Sequence, residues 1–272
     1  MVAAFGSIWV QSREDGSIWR IGPNGDVVAR LPETSTSKSP GRYGSVSQGL
    51  AAGFGSVWSL TDDALVRIDP ASNTIAATLP IEFPYAIAVG EGAVWVVCCR
   101  SRVRLVTVNP STMAAEVLAN LGTSASALGV GNGSVWWGRA SEGGGMYRVD
   151  PKTGAFADMQ AGYNDRFIVS TPRWLWLVDS GRAQRIDPAG SRSSSPSKKL
   201  ADQSIGASYS HGTVWINGGA AVGFDANSGA VTSFLPAFTI HKYWLSGGIA
   251  QLDDRVWLAD PEGDRVLGLA LA

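Results

Sequence analysis

Apolar and polar residues alternate in short runs along most of the chain, and no segment sustains an apolar repeat of 3.6 residues. Short strands are therefore expected throughout, with helix close to absent. Residues 49–80 show the pattern most clearly. Gly49-Leu-Ala-Ala-Gly-Phe-Gly reads as a strand running into a glycine turn, and Ser56-Val-Trp-Ser-Leu as a second strand. Ala64-Leu-Val-Arg-Ile-Asp-Pro reads as a third strand ended by Asp69-Pro70, and Ile75-Ala-Ala-Thr-Leu-Pro as a fourth. Proline cannot donate to a strand ladder and Asp or Asn favours a turn, so Asp-Pro-x-Thr/Ser-Gly predicts a hairpin between strands three and four. The same ending recurs as Val108-Asn-Pro, Val149-Asp-Pro and Ile186-Asp-Pro, with Phe224-Asp-Ala as a variant.

The unit repeats. An aliphatic-Trp pair marks it at Trp9, Trp58, Trp95, Trp136, Trp176, Trp215 and Trp257, with steps of 49, 37, 41, 40, 39 and 42 residues. A period of about 40 residues is that of propeller blades. The expected fold is all-β: one seven-bladed β-propeller domain over residues 1–272, with about four antiparallel strands per blade. The blades fall roughly at 1–41, 42–82, 83–121, 122–161, 162–201, 202–241 and 242–272. The Trp residues are expected to pack between blades. Two polar stretches, Thr34 to Arg42 and Gly190 to Lys199, read as loops. The seventh blade has an inner strand (248–251), a Trp strand (255–259) and a third strand (265–271), and lacks an outer strand. The expectation is that residues before Met1 supply it, the chain being cut from a longer protein.

Composition narrows the functional classes. Lys and Arg number 22 against 23 Asp and Glu, so no basic excess is available to track nucleic acid. The apolar run from Gly92 to Cys99 is far shorter than the roughly 20 residues of a membrane span. Met1 to Gly6 enters the first strand with neither a charged n-region nor a long apolar core, so no signal peptide is read. The location is cytoplasmic if Met1 is the natural start and extracytoplasmic if an N-terminal segment is missing. The only cysteines, Cys98 and Cys99, are adjacent. Strand alternation would point them to opposite faces as two unrelated thiols, with a vicinal disulfide as the alternative.

Loops joining strand four to the next inner strand share one face of a propeller with the loops between strands two and three, around the channel mouth. Four of the six tyrosines fall in the blade-entry loops: Tyr43, Tyr85, Tyr163 and Tyr243. Trp244 and Arg166 join them there, and Arg100, Arg139 and Asp179 lie in the strand two–three loops. Flat aromatic faces with polar tips, accompanied by arginine, suit a small organic molecule, a glycan or a peptide. His211 reads as a turn residue on the opposite face, which leaves His241 as the candidate histidine base. Asp260, Glu262 and Asp264 alternate, and their reading is a solvated acidic turn in preference to a cation site. No metal site is assigned.

The unit G-x-G-[SA]-V-W-V followed by V-x-R-[IV]-D-P-x-[TS]-G-x-V resembles the YVTN/NHL-like propellers, and in pattern most resembles virginiamycin B lyase (streptogramin lyase). The resemblance covers essentially the whole chain and implies a seven-bladed fold. For activity it implies two histidines in Pro-His-[GA]-Ile segments, a glutamate after the last Trp strand, and magnesium. The matching segments here are Gln203-Ser204-Ile205 and Ser246-Gly247-Gly248-Ile249, without histidine. Glu262 stands one residue from the glutamate's place, and His241 lies early in the corresponding loop. Two functions follow. The first is a ligand-binding or interaction propeller, a sensor domain of a longer chain, monomeric and requiring no cofactor. The alternative is a lyase or isomerase acting on a natural product, with His241 as base, Glu262 as acid or metal ligand, and magnesium.

Overall fold

Alternation along the chain becomes, among the described residues, 26 strands in seven antiparallel sheets, each sheet ordered as its strands occur in sequence. The structure is a computed structural model. It describes residues 1–12, 15–32, 49–99, 102–122, 125, 127–138, 145–162, 167–179, 182–189, 204–238 and 247–271, without the side chains of 160–162 and 179. Among these residues there is no helix. The stretches read as loops at Thr34 to Arg42 and Gly190 to Lys199 lie outside them.

Two compact units make up the chain, Met1–Ser124 and Ala125–Ala272. The first holds three four-stranded sheets. Sheet one is β1 (Val2–Ala4), β2 (Ser7–Gln11), β3 (Ile18–Ile21) and β4 (Val27–Leu31). Sheet two is β5 (Leu50–Gly53), β6 (Ser56–Leu60), β7 (Ala64–Asp69) and β8 (Thr74–Pro80). Sheet three is β9 (Ala86–Gly90), β10 (Ala93–Cys98), β11 (Val103–Val108) and β12 (Ala115–Gly122).

The second unit holds four sheets. Sheet four is β13 (Ala127–Gly131), β14 (Ser134–Gly138), β15 (Gly145–Val149) and β16 (Phe156–Gly162). Sheet five is β17 (Phe167–Ser170), β18 (Leu175–Asp179) and β19 (Arg182–Ile186). Sheet six is β20 (Gly206–Ser210), β21 (Thr213–Asn217), β22 (Ala220–Asp225) and β23 (Val231–Pro236). Sheet seven is β24 (Ile249–Leu252), β25 (Arg255–Asp260) and β26 (Arg265–Ala270), the three strands expected of the last blade.

All seven marker tryptophans lie in the second strand of their sheet and are buried, none more than 4 % exposed. Four of them share one hydrogen bond. The indole N–H of Trp9, Trp58, Trp95 and Trp136 donates to the carbonyl five residues earlier, at 2.8–3.2 Å. That carbonyl lies at the end of the inner strand, so the ring is fixed across the hairpin it belongs to. The apolar clusters mix residues of successive sheets: Trp9 and Leu31 pack with Val57 and Ile68, and Trp58 and Leu65 pack with Ile87 and Val106. In the second unit Trp215 and Ala221 pack with Ile249 and Leu258. Deleting such a ring leaves a cavity and costs about 3–5 kcal/mol.

The predicted hairpins form at Asp69, Asn109, Asp150 and Asp225, and the side chain is the reason; after Asp187 no fourth strand follows among the described residues. Asp150 Oδ1 accepts the backbone N–H groups of Lys152 and Thr153 at 2.8 and 2.9 Å, and Asn109 Oδ1 those of Ser111 and Thr112 at 2.9 and 3.0 Å. Asp225 does the same with Asn227 and Ser228, and Asp69 and Asp187 accept the N–H groups of Ala71 and Ala189. A recurrent arginine of the third strand then reaches the turn of the following sheet. Arg20 of β3 donates to the Pro70 carbonyl and to Asn73 Oδ1, both at 2.7 Å. Arg67 of β7 donates to the Pro110 carbonyl at 3.0 Å, and Arg185 of β19 to the Asn227 carbonyl. Close approach of neighbouring sheets also sets the glycines: a Cβ on Gly53 would stand 2.5 Å from Val89 Cγ1, closer than packing allows.

Candidate functional site

The hairpins between third and fourth strands lie at one edge of a sheet, and the loops between second and third strands lie at the other. The loop edge is described most fully in the first unit, where three segments meet. Val97 pairs with Ala86 across β10 and β9, which puts residues 82–85 beside the end of β10. The Tyr85 N–H donates to the Val97 carbonyl at 2.9 Å. The Cys99 N–H lies between two carbonyls, Glu82 at 3.1 Å and Phe83 at 3.3 Å. The Ile81 N–H donates to the Asp63 carbonyl at 2.9 Å, bringing in the β6–β7 turn.

This network fixes the conformation of a short aromatic segment. Phe83 has φ +45°, unusual for a bulky residue, and remains 45 % exposed. Pro84 is buried behind it and Tyr85 is half-buried. The surrounding electrostatics are unfavourable to anions. Burial, and then the charge of Asp63, raise the pKa of Asp62 above the ordinary carboxylate value. Burial, and then the neighbouring Cys99 and Glu82, push the Cys98 thiol up, against the opposing pull of Arg104.

The two cysteines require a correction. Strict alternation would separate them, but β10 ends at Cys98 and Cys99 takes a left-handed φ of +72°. The turn brings the sulfur back: both residues belong to one apolar cluster, and the two Sγ atoms stand 2.6 Å apart. Both are free thiols.

The β25–β26 turn of the second unit is built otherwise. Asp260 is 4 % exposed, and its Oδ1 accepts the N–H groups of Glu262 and Gly263 at 3.2 and 3.0 Å. Its Oδ2 accepts from Arg265 Nε at 2.9 Å. This carboxylate is the clamp of its turn, and its oxygens are occupied. The turn therefore does not fit a magnesium ion, and no group of three or more His, Cys, Asp or Glu side chains converges among the described residues. Glu262 is half-buried in the turn, its backbone held by Asp260. Asn217, at the end of β21, is fully buried and bridges to the carbonyls of Gly248 and Ala259 at 3.2 and 3.1 Å.

Of the residues expected at the site, Tyr85 and Glu262 are placed with their side chains, in different units. Asp179 closes β18 opposite Arg182. Tyr43, Arg100, Arg139, Tyr163, Arg166, His241, Tyr243 and Trp244 lie outside the described residues. His211 sits in the β20–β21 turn with its Nδ1 2.8 Å from Ser210 Oγ, a turn residue as expected. Sequence reasoning missed the inter-sheet arginines, the clamp at Asp260 and the Asn217 bridge. Two of the arginines had a signal, since Arg67 and Arg185 stand two residues before the Asp of the turn, whereas Arg20 precedes Gly22; Asn217 had none.

No family model matches the chain, and no curated protein matches it. Solved structures do. AztD from Citrobacter koseri, in its apo form, superposes with a TM-score of 0.69 at 10% identity, covering 96% of this chain and 90% of that one. The Cps50 (Swd1) β-propeller domain of Myceliophteria thermophila gives 0.70 at 10% identity, covering 100% and 98%. The extracellular domain of the putative one-component system BT4673 from B. thetaiotaomicron gives 0.66 at 14% identity, covering 99% of this chain and 39% of that one. At such identities the likeness shows the fold alone. The seven sheets are the blades of a seven-bladed β-propeller, and no described helix is long and apolar enough to cross a membrane.

Proposed function

We propose that this chain is a ligand-binding or interaction propeller, a sensor-type domain whose loop edge takes a small organic molecule, a glycan or a peptide. The observation that carries this reading is the Phe83–Tyr85 segment, an exposed aromatic held by backbone bonds from Asp63, Val97 and Cys99. A pre-ordered aromatic binds a flat or apolar partner without the cost of ordering a loop. The aromatic residues that the sequence places in the other blade-entry loops, Tyr43, Tyr163, Tyr243 and Trp244, extend the same chemistry. The similar extracellular domain of a putative one-component system supports a sensor role by analogy.

A thermal-shift screen with aromatic metabolites, oligosaccharides and short peptides tests this. A ligand that binds only the folded state stabilises it by about 2.7 kcal/mol at a hundredfold excess over Kd, and so raises the midpoint. Tyr85→Ala and Phe83→Ala are expected to abolish most of that shift while leaving the unliganded midpoint nearly unchanged. A shift insensitive to both variants would refute the assigned surface. A shift that requires magnesium and His241, accompanied by conversion of the ligand, would favour the lyase or isomerase reading instead.

A further inference from the structure

The Cys99 backbone helps hold the segment proposed above as a binding surface, but the thiols of Cys98 and Cys99 are buried beneath it and have no role in that reading. A strand residue at 99 would send its sulfur away from that of Cys98; the left-handed backbone there brings the two within 2.6 Å. Non-glycine residues in this region are strained, and such strain concentrates at functional positions. The pair is also asymmetric. Cys98 is 1 % exposed and Cys99 8 %, so an oxidant small enough to enter meets Cys99 first.

We propose that Cys98 and Cys99 are a reversible redox modification site, oxidised by a hydroperoxide to a vicinal disulfide that re-sets the Glu82–Tyr85 loop. In the first step the Cys99 sulfur attacks one peroxide oxygen. The O–O bond breaks, Cys99 becomes a sulfenic acid, and the released oxygen leaves with the thiol proton as water or an alcohol. In the second step the Cys98 sulfur displaces hydroxide from the Cys99 sulfur. The S–S bond forms, and the hydroxide takes the Cys98 proton and leaves as water. The sulfurs together lose two electrons and the peroxide gains them. Burial, which holds the Cys98 thiol protonated, suits it to this second role and not to the first.

The consequence follows from the backbone. The Cys99 N–H bonds the carbonyls of Glu82 and Phe83, so closing a small ring through the 98–99 peptide re-aims the N–H that holds this loop. The thiol pair thereby reports oxidation to the exposed Phe83. Thiol oxidation is confined to this place, because the chain has no other cysteine.

The full chain is treated with hydrogen peroxide, and its thiols are alkylated before and after reduction by dithiothreitol. The expected product is lighter by two hydrogens on the peptide containing both cysteines, has no alkylatable thiol, and regains both on reduction. Cys98→Ser is expected to stop at a Cys99 sulfenic acid that dimedone captures. Hydrogen exchange at residues 82–85 and 99 is expected to differ between the reduced and oxidised forms. The proposal is overturned if Cys99 proceeds to sulfinic acid while Cys98 remains alkylatable. It is equally overturned if both thiols survive peroxide that fully oxidises dithiothreitol under the same conditions. Unchanged exchange in a disulfide-bonded protein would overturn the coupling to the loop. The wild-type mass decides even if Cys98→Ser does not fold, and none of these readouts involves the ligand of the loop edge.

Discussion

The β6–β7 turn of the second blade and the β25–β26 turn of the seventh occupy the same place in their sheets and treat a carboxylate in opposite ways. Asp260 is buried with two backbone N–H groups and Arg265 on its oxygens. Asp62 is partly buried beside Asp63, and its charged form is disfavoured. One charge has been spent on local structure; the other is retained at a cost. A fold optimised for stability alone would clamp both, so the blade that retains an unfavourable charge, next to an exposed aromatic and a thiol pair, is the one to examine for function.

The comparison can be broken at its strongest point first. Asp260→Ala removes charge-assisted bonds and strands two turn N–H groups, and is expected to lower stability by about 2–3 kcal/mol in urea unfolding. A neutral result would mean that Asp260 is no clamp. Asp62→Asn is expected to act in the opposite direction, raising stability by up to about 1 kcal/mol at neutral pH. The sign comes from the raised pKa: the folded protein holds the proton of Asp62 more tightly than the unfolded chain does. The penalty is therefore present at neutral pH and is relieved as pH falls through the raised value. The advantage of the Asn variant should vanish there, and an advantage independent of pH would refute the electrostatic account.

The smallest effect belongs to the hairpin edge. Turn hydrogen bonds hold Asp69, Asp150 and Asp225 below the ordinary carboxylate pKa: chiefly from the Ala71 N–H at Asp69, the Thr153 N–H at Asp150 and the Ser228 hydroxyl at Asp225. A depressed folded pKa contributes stability above the unfolded value, and that stability is lost as pH falls through the folded one. Asp150 is exposed and Asp69 and Asp225 are half-buried in surface turns, so each loss is small. Thermal midpoints followed into acid should decline less steeply for Asp225→Asn than for the unmodified chain.

Most of the architecture was legible because it repeats. Seven burials of one Trp leave seven copies of one signal, and an Asp that must accept two turn N–H groups cannot drift from its place. The three-stranded last sheet was legible for the same reason, as a repeat that stops early. The site was legible only as composition. Tyr85 could be assigned to a blade-entry loop, but what fixes the loop beside it is main-chain bonding from Asp63, Val97 and Cys99, which leaves no trace in residue type. The thiol pair was misread because a single left-handed residue inverts a period-two argument. Asp260 looked like one of three alternating carboxylates, and only its burial separates it from the exposed Asp264.

The arginines that reach from one sheet into the next sheet's turn make the strength of the fold a property of adjacency. Arg20 supports a turn that its own blade does not contain, and Arg67 does the same one step further along. Within the first unit, support thus passes in one direction along the sequence. A lesion in the third strand of one blade should be felt first in the hairpin about 45 residues downstream, before the rest of its own blade. Damage in such a protein is inherited by the neighbour, and cooperativity emerges from a row of one-way handholds.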